Sequence, residues 1–272
     1  MITTLLKHEF GRTRGLLAAL FGIHLLVAVG GWAMAMTGLP GLELVGQICA
    51  VVAAATLVPV TMLALGADHW RSSFSERGYL VQSLPVPGRT QLAAKVAHGY
   101  FWTLVASMVT LLLAVLASLT VARVGGLPAS AVFDEIGAMW GGLRSEVPGW
   151  VLVVALASLL VMLLGYVAMI WFAAAVGSEG RMSGTGWGPF VVYAGLYMLV
   201  QALMTVAMLV IPFGMEMDGA NAFDVHAVNV VELLRADVQN VLPLGFLPVL
   251  VLLPVVLLWR TAVSWDQKVS LP

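Results

Sequence analysis

Charge is what this chain has least of. Only 10% of its 272 residues are Asp, Glu, Lys or Arg, while 61% are hydrophobic. A soluble domain carries about 25% charged residues, so the side chains needed to clothe a water-facing surface are missing. The composition makes the chain an integral membrane protein. Cysteine is nearly absent as well. Cys49 stands alone inside an apolar run, which excludes an internal disulfide and a CxxC or Cys/His metal site. Catalytic signatures are lacking too. The glycine-rich "GSEGRMSGTGWG" at 177–188 has no Lys-Ser or Lys-Thr after it to hold phosphate and Mg²⁺, and neither HExxH nor GxSxG occurs. No catalytic residue, no metal ligand and no cofactor is expected in this chain, and no nucleic-acid partner.

What is present is a set of long apolar runs. A run of about 20 residues crosses a hydrocarbon core of roughly 30 Å at 1.5 Å per residue. Six such runs occur, near 16–37, 44–67, 94–122, 150–176, 188–214 and 241–259. The expected fold is therefore all-α, a single transmembrane domain over 1–272 with six spans. Pro59, Pro212, Pro248 and Pro254 interrupt three of them, which membrane helices tolerate because neighbouring groups satisfy the freed carbonyls. No Asp, Glu or Lys lies in the interior of a span; His24 and, at an edge, His98 are the ionisable groups there. An ion-coupled carrier needs a titrating or coordinating group at that depth. Its absence argues against a carrier with its own ion drive, and His24 is expected to hydrogen-bond within the bundle.

Lysine and arginine set the orientation. With a cytoplasmic N-terminus, the inner segments hold Lys7, Arg12, Arg14, Arg71, Arg77, Arg89, Lys95, Arg181, Arg260 and Lys268, against Arg123, Arg144 and Arg235 outside. The expected topology is multi-pass in the cell membrane with both termini cytoplasmic. Arg12 and Arg14 precede an apolar run of signal-peptide character, but that run is longer than the 7–15 residues of a signal h-region. Residues 1–15 read instead as an amphipathic interface helix, with Leu5, Leu6 and Phe10 on one face and Lys7, Arg12 and Arg14 toward anionic headgroups. The outer segments 123–149 and 215–240 each carry apolar residues at helical spacing: Val132, Phe133, Ile136, Met139, Trp140 and Leu143 in the first, Val225, Val228, Val231, Leu234 and Val238 in the second. Both are expected to be short helices.

One inner segment, 68–93, concentrates what the rest lacks. It contains "FSERGYLVQSLPVPGRTQLAAK", with Asp68, Arg71, Glu76, Arg77, Arg89 and Lys95 in or beside it, and with Phe74, Tyr79, Leu80 and Leu84 supplying an apolar set. Pro85 and Pro87 end a helix, and Thr90 is placed to cap the next one. An aromatic surface ringed by charge suits docking into a soluble partner, where the aromatic gives desolvated area and the charges set orientation.

This segment resembles the inner segment of bacterial ABC-2-type transporter permeases. The resemblance rests on Phe74, Glu76, Arg77, Gly78, Tyr79, Leu80, Leu84, Pro85, Val86 and Lys95, and on the plan of six spans with both ends inside. It departs at Pro87, where a small polar residue is common in the family. The resemblance implies a permease without its own ATPase, paired with a separate ABC ATP-binding subunit that holds ATP and Mg²⁺, and with a second permease copy or related permease. It implies export from the bacterial inner membrane. The spans are rich in Met, Trp, Val and Leu with few hydrogen-bonding groups, which points to a hydrophobic or amphipathic cargo such as a drug, lipid or antimicrobial peptide. The segment becomes a coupling helix whose ATPase-docking residues are Arg71, Phe74, Glu76, Arg77, Gly78, Tyr79, Leu80, Leu84, Pro85, Arg89 and Lys95. The alternative is a membrane-embedded sensor or immunity protein that binds a peptide antibiotic without transport. A lipid-modifying enzyme is a third reading, disfavoured because Asp134, Glu135 and Glu146 have no histidine beside them.

Overall fold

The computed structural model describes residues 2–75, 78, 86–179, 186–217, 222–235 and 240–267. It is a helical protein with six helices long and apolar enough to cross a membrane. Helix α1 runs Ile2–Ala35, α2 Pro40–Ser73, α3 Gly88–Val124, α4 Ala129–Glu146, α5 Gly149–Val176 and α6 Gly188–Val210; strands β1 Phe213–Glu216 and β2 Val225–Ala227 follow, then α7 Val230–Arg235, β3 Val241–Pro243 and α8 Leu247–Gln267. The six long helices are α1, α2, α3, α5, α6 and α8. Many of their large apolar side chains point outward, with Leu26 73% and Leu112 71% exposed. That inversion is what a lipid-facing surface requires.

The chain divides into two compact units, residues 1–68 with 90–143, and 69–89 with 144–272. In the first unit, Leu20 and Ala28 of α1, Ala53, Ala54 and Leu57 of α2, and Ala106 and Leu113 of α3 form the core. Lipid tails are as apolar as leucine, so such helices associate through close packing of small residues. Gly31 and Gly46 show how close. A Cβ on Gly31 would sit 2.5 Å from the carbonyl oxygen of Gly46 and 3.1 Å from Cβ of Cys49. Beside this crossing Ala28, Ala35 and Ala50 are fully buried.

In the second unit Ala168 and Met169 of α5, Val200 of α6 and Leu257 of α8 make the core. Between α6 and α8 the chain forms a three-stranded antiparallel sheet in the order β2-β1-β3, with Met215 opposite Val225 on one side and Leu242 on the other. Expectation and structure differ here. The helix expected across 225–238 does not begin before Val230, because Val225–Ala227 pairs with β1 and the Asn229 side chain accepts from the backbone N–H of Val231 (3.2 Å) and Glu232 (3.4 Å), capping a helix that starts there; residues 236–238 lie outside the described residues. The fifth long helix ends at Val210, before Pro212, and the sixth begins at Leu247 rather than 241, because 241–243 serves as β3. The other segment expected to be a short helix is helical, over Ala129–Glu146, with no buried residue.

The N-terminal boundary is also different. No break separates an interface helix from the first span: α1 is continuous over 34 residues, about 51 Å. The single glycines Gly11 and Gly15 cost about 1 kcal/mol each in a helix interior and do not stop it. Helix α3, at 37 residues and about 55 Å, likewise exceeds the hydrocarbon thickness. It begins at Gly88, directly after Pro87, so Thr90 lies inside its first turn and is not its cap.

Candidate functional site

The charged ends of the helices hold two polar clusters, one in each unit. In the first, the overlong ends of α1 and α3 lie side by side. Lys95 Nζ reaches Glu9 Oε1 at 2.9 Å, with the two side chains 5% and 11% exposed. Arg12 on the next turn pairs with Glu9 and reaches across to α2, donating from Nη1 to Asp68 Oδ1 at 2.6 Å. Two carboxylates thus meet two cations, and the cluster is neutral. Below it, Thr13 donates to the backbone carbonyl of Glu9 (3.0 Å), which leaves its oxygen to accept from Nε2 of His98 at 3.0 Å. Phe10 closes the group edge-on against His98 and Phe101, with ring centroids 4.8 Å and 5.3 Å away.

The second cluster binds the last turn of α2 to α5 and α8. Trp70 Nε1 donates to Ser178 Oγ at 3.1 Å. His69 stacks on Trp171 at 4.9 Å and 18°. Phe74 meets His69 and Trp265 edge-on, at 5.5 Å and 5.2 Å. Just past the end of α5, Glu179 accepts from Arg260 Nη2 at 3.0 Å and from Ser264 Oγ at 2.6 Å. These contacts fix the ends of three helices in a place where His69 and Trp171 are each only 2% exposed.

Several expected docking residues therefore have other surroundings. Phe74, expected as the aromatic anchor for a partner, is 2% exposed and spends its ring inside its own unit. Lys95 is held by Glu9 instead of facing outward. Arg71 and Arg89 are exposed, and Gly78 is buried. Glu76, Arg77, Tyr79, Leu80, Leu84 and Pro85 lie outside the described residues. Of the interface set, Lys7 and Arg14 are exposed and Leu5 and Leu6 half-buried, but Phe10 faces α3 and Arg12 faces Glu9 and Asp68. An apolar face expected to rest on lipid is thus partly covered by another helix.

Sequence reading missed Glu9, Thr13, Trp70, Trp171, Ser178, Glu179, Ser264 and Trp265. Glu9 had a signal, an acid at i−3 from Arg12 in an otherwise basic stretch. The tryptophans had none, since an aromatic residue at a span end reads equally as a membrane-interface anchor. His24, expected to hydrogen-bond within the bundle, does so: Nδ1 donates to the carbonyl of Leu20 at 2.9 Å, and Thr56 Oγ1 lies 3.3 Å from Nε2. Among the described residues no group of His, Cys, Asp and Glu side chains is placed to hold a metal. Comparison with protein-family models, with curated proteins and with solved structures finds no match to this chain.

Proposed function

We propose that this multi-pass membrane protein is the permease subunit of an ATP-driven transporter of the ABC-2 type. It takes its energy from a separate ATP-binding subunit that docks on the cytoplasmic segment between α2 and α3. The observation that carries the reading is how that segment is anchored at its two ends. It leaves α2 at a turn fastened by Trp70, His69 and Phe74 to α5 and α8. It enters α3 a little before Lys95 and His98, which fasten that helix to α1. A push on a segment hung from loose ends would be absorbed locally. A push on this one displaces packed helices, because close-packed contacts transmit strain.

Arg71 and Arg89 are exposed, and exposed charges beside a docking segment orient a partner; Glu76 and Arg77 add to them in sequence. The chain itself contributes no ATP chemistry; ATP and Mg²⁺ belong to the partner subunit. A second permease copy or a related permease completes the complex, and a hydrophobic or amphipathic substrate is exported.

The test is reconstitution of the purified chain into vesicles with and without the ATPase subunit that accompanies it in mild detergent. Movement of an amphipathic dye and ATP hydrolysis should both require the two proteins together. Dye movement by the chain alone, or undiminished protection of cells against a peptide antibiotic after the ATPase is deleted, overturns the reading. The second result would favour the sensor or immunity protein.

A further inference from the structure

We propose that a groove among α5, α6 and α8 is a binding site for a neutral, single-chain amphiphile whose hydrogen-bonding head reaches Gln201. The groove holds about 440 Å³, within the 300–1,000 Å³ range of small-molecule sites, which are apolar with a few placed polar groups. Met162, Met169, Met204 and Met208 form much of its wall. Thioethers on unbranched side chains adapt to irregular apolar shapes and favour contact with rings and chains.

The polar element is specific. Tyr197 and Gln201 stand four residues apart on one face of α6 and line the groove. Gln201 is exposed on the surface of α6, about 20 Å along a helix of about 35 Å, so once α6 spans a bilayer this side chain meets hydrocarbon and not water. Thr205 on the following turn spends its hydroxyl on the backbone carbonyl of Gln201 at 2.9 Å. The Gln201 carboxamide itself has no hydrogen-bond partner among the described residues. An amide in apolar surroundings with its hydrogen bonds unmade is costly, and a hydroxyl, ester or amide head removes that cost.

No Asp, Glu, Lys, Arg or His lines the groove, so a charged head would be desolvated without a counter-ion. The occupant is therefore neutral. Nor does the shape suit a helix from a second copy. A helix about 10 Å across fills such a volume in roughly one turn, too little for helix packing. Gly165 is buried and lines the groove, and a Cβ there would meet nothing within 4 Å, so the space beside it is open. The site does not depend on an ATPase partner, because binding is read on this chain alone.

The experiment uses the purified full chain in phosphatidylcholine nanodiscs and a diazirine-bearing monoacylglycerol as photolabel. Saturable labelling of peptides from α5 and α6 is expected. Unlabelled monoacylglycerol should compete, and the fatty acid and the alkyl-trimethylammonium of equal chain length should compete at least tenfold less well, the charged head being the difference. Gly165→Phe, which fills open space, should abolish the labelling. Gln201→Leu should weaken it about tenfold, as loss of one hydrogen bond predicts. Competition in the wild-type chain needs no variant to fold. Unsaturable labelling spread over all spans, equal competition by the charged analogues, or unchanged labelling of a folded Gly165→Phe protein overturns the proposal. So does disulfide-linked dimer formation by Gln201→Cys in a Cys49→Ala background, which would give this face to a second copy.

Discussion

Glu9 on the first helix and Lys95 on the third face each other at 2.9 Å, in surroundings that leave the lysine side chain only 5% exposed. A buried charge that loses its partner is strongly destabilising, whereas replacing both charges with apolar groups is often neutral. Glu9→Gln or Lys95→Met alone should each lower stability by about 3–5 kcal/mol, read as thermal unfolding of the detergent-solubilised protein. Glu9→Leu with Lys95→Met should recover most of that loss. Additive losses in the double variant would mean that the pair does not act as a unit.

Phe74 distinguishes a packing role from a docking role. Its ring is buried against His69 and Trp265. Phe74→Ala should cost about 3–5 kcal/mol of stability, as for other buried aromatics. An anchor for a partner would behave otherwise, weakening ATPase retention on membranes while leaving the unfolding temperature of the isolated chain unchanged.

The crossing of α1 and α2 tolerates no side chain at its centre. Gly31→Val or Gly46→Val places a Cβ where a backbone carbonyl already sits, and the helices must part. Overpacking costs about 1–3 kcal/mol in a core that can shift, and more where backbone is struck. Both variants should therefore fall at or beyond the upper end of that range. Gly30→Val, on the neighbouring residue where a Cβ meets nothing within 4 Å, serves as the control. A loss of stability at Gly30 equal to that at Gly31 would remove the explanation.

The coupling reading makes its own demand on charge. Glu76→Ala with Arg77→Ala, and separately Arg71→Glu with Arg89→Glu, should leave membrane insertion intact while lowering ATPase retention and efflux. Charge reversal at orienting positions acts chiefly on association and should grow weaker as salt rises. Assays of insertion, ATP hydrolysis and efflux, run at low and high ionic strength, check it. Full efflux by both double variants would separate this segment from energy supply.

Removing residues 1–10 bears on the extended α1. The deletion takes away Glu9 and Phe10 and leaves Lys95 buried without that carboxylate. The truncated chain should be less stable by a margin like that of Glu9→Gln, whatever its effect on ATPase binding. Unfolding measurements beside ATPase retention separate the two effects. An unchanged unfolding temperature would show that the N-terminal turns are not part of the bundle.

Composition alone settled the solvent. With so little charge and runs of apolar residues at the length of a bilayer, six long helices followed from the need to satisfy every backbone group within its own segment. The helix at Ala129–Glu146 was legible too, because its apolar residues recur at a period that only a helix satisfies. The ends of the helices were not legible. Whether Phe10 meets lipid or α3, and whether Lys95 meets a partner or Glu9, depends on which helix lies alongside, and periodicity carries no information about neighbours. The valines of 225–227 suit a strand or a helix, and pairing with β1 decided between them. Tertiary structure also turned Phe74 from a surface residue into a buried one, since aromatic packing and an exposed aromatic anchor draw on the same residue type. What the chain is made of fixed the medium it lives in, through desolvation of its backbone. Which charges and rings find one another was left to the packing, because those contacts join residues far apart in the chain.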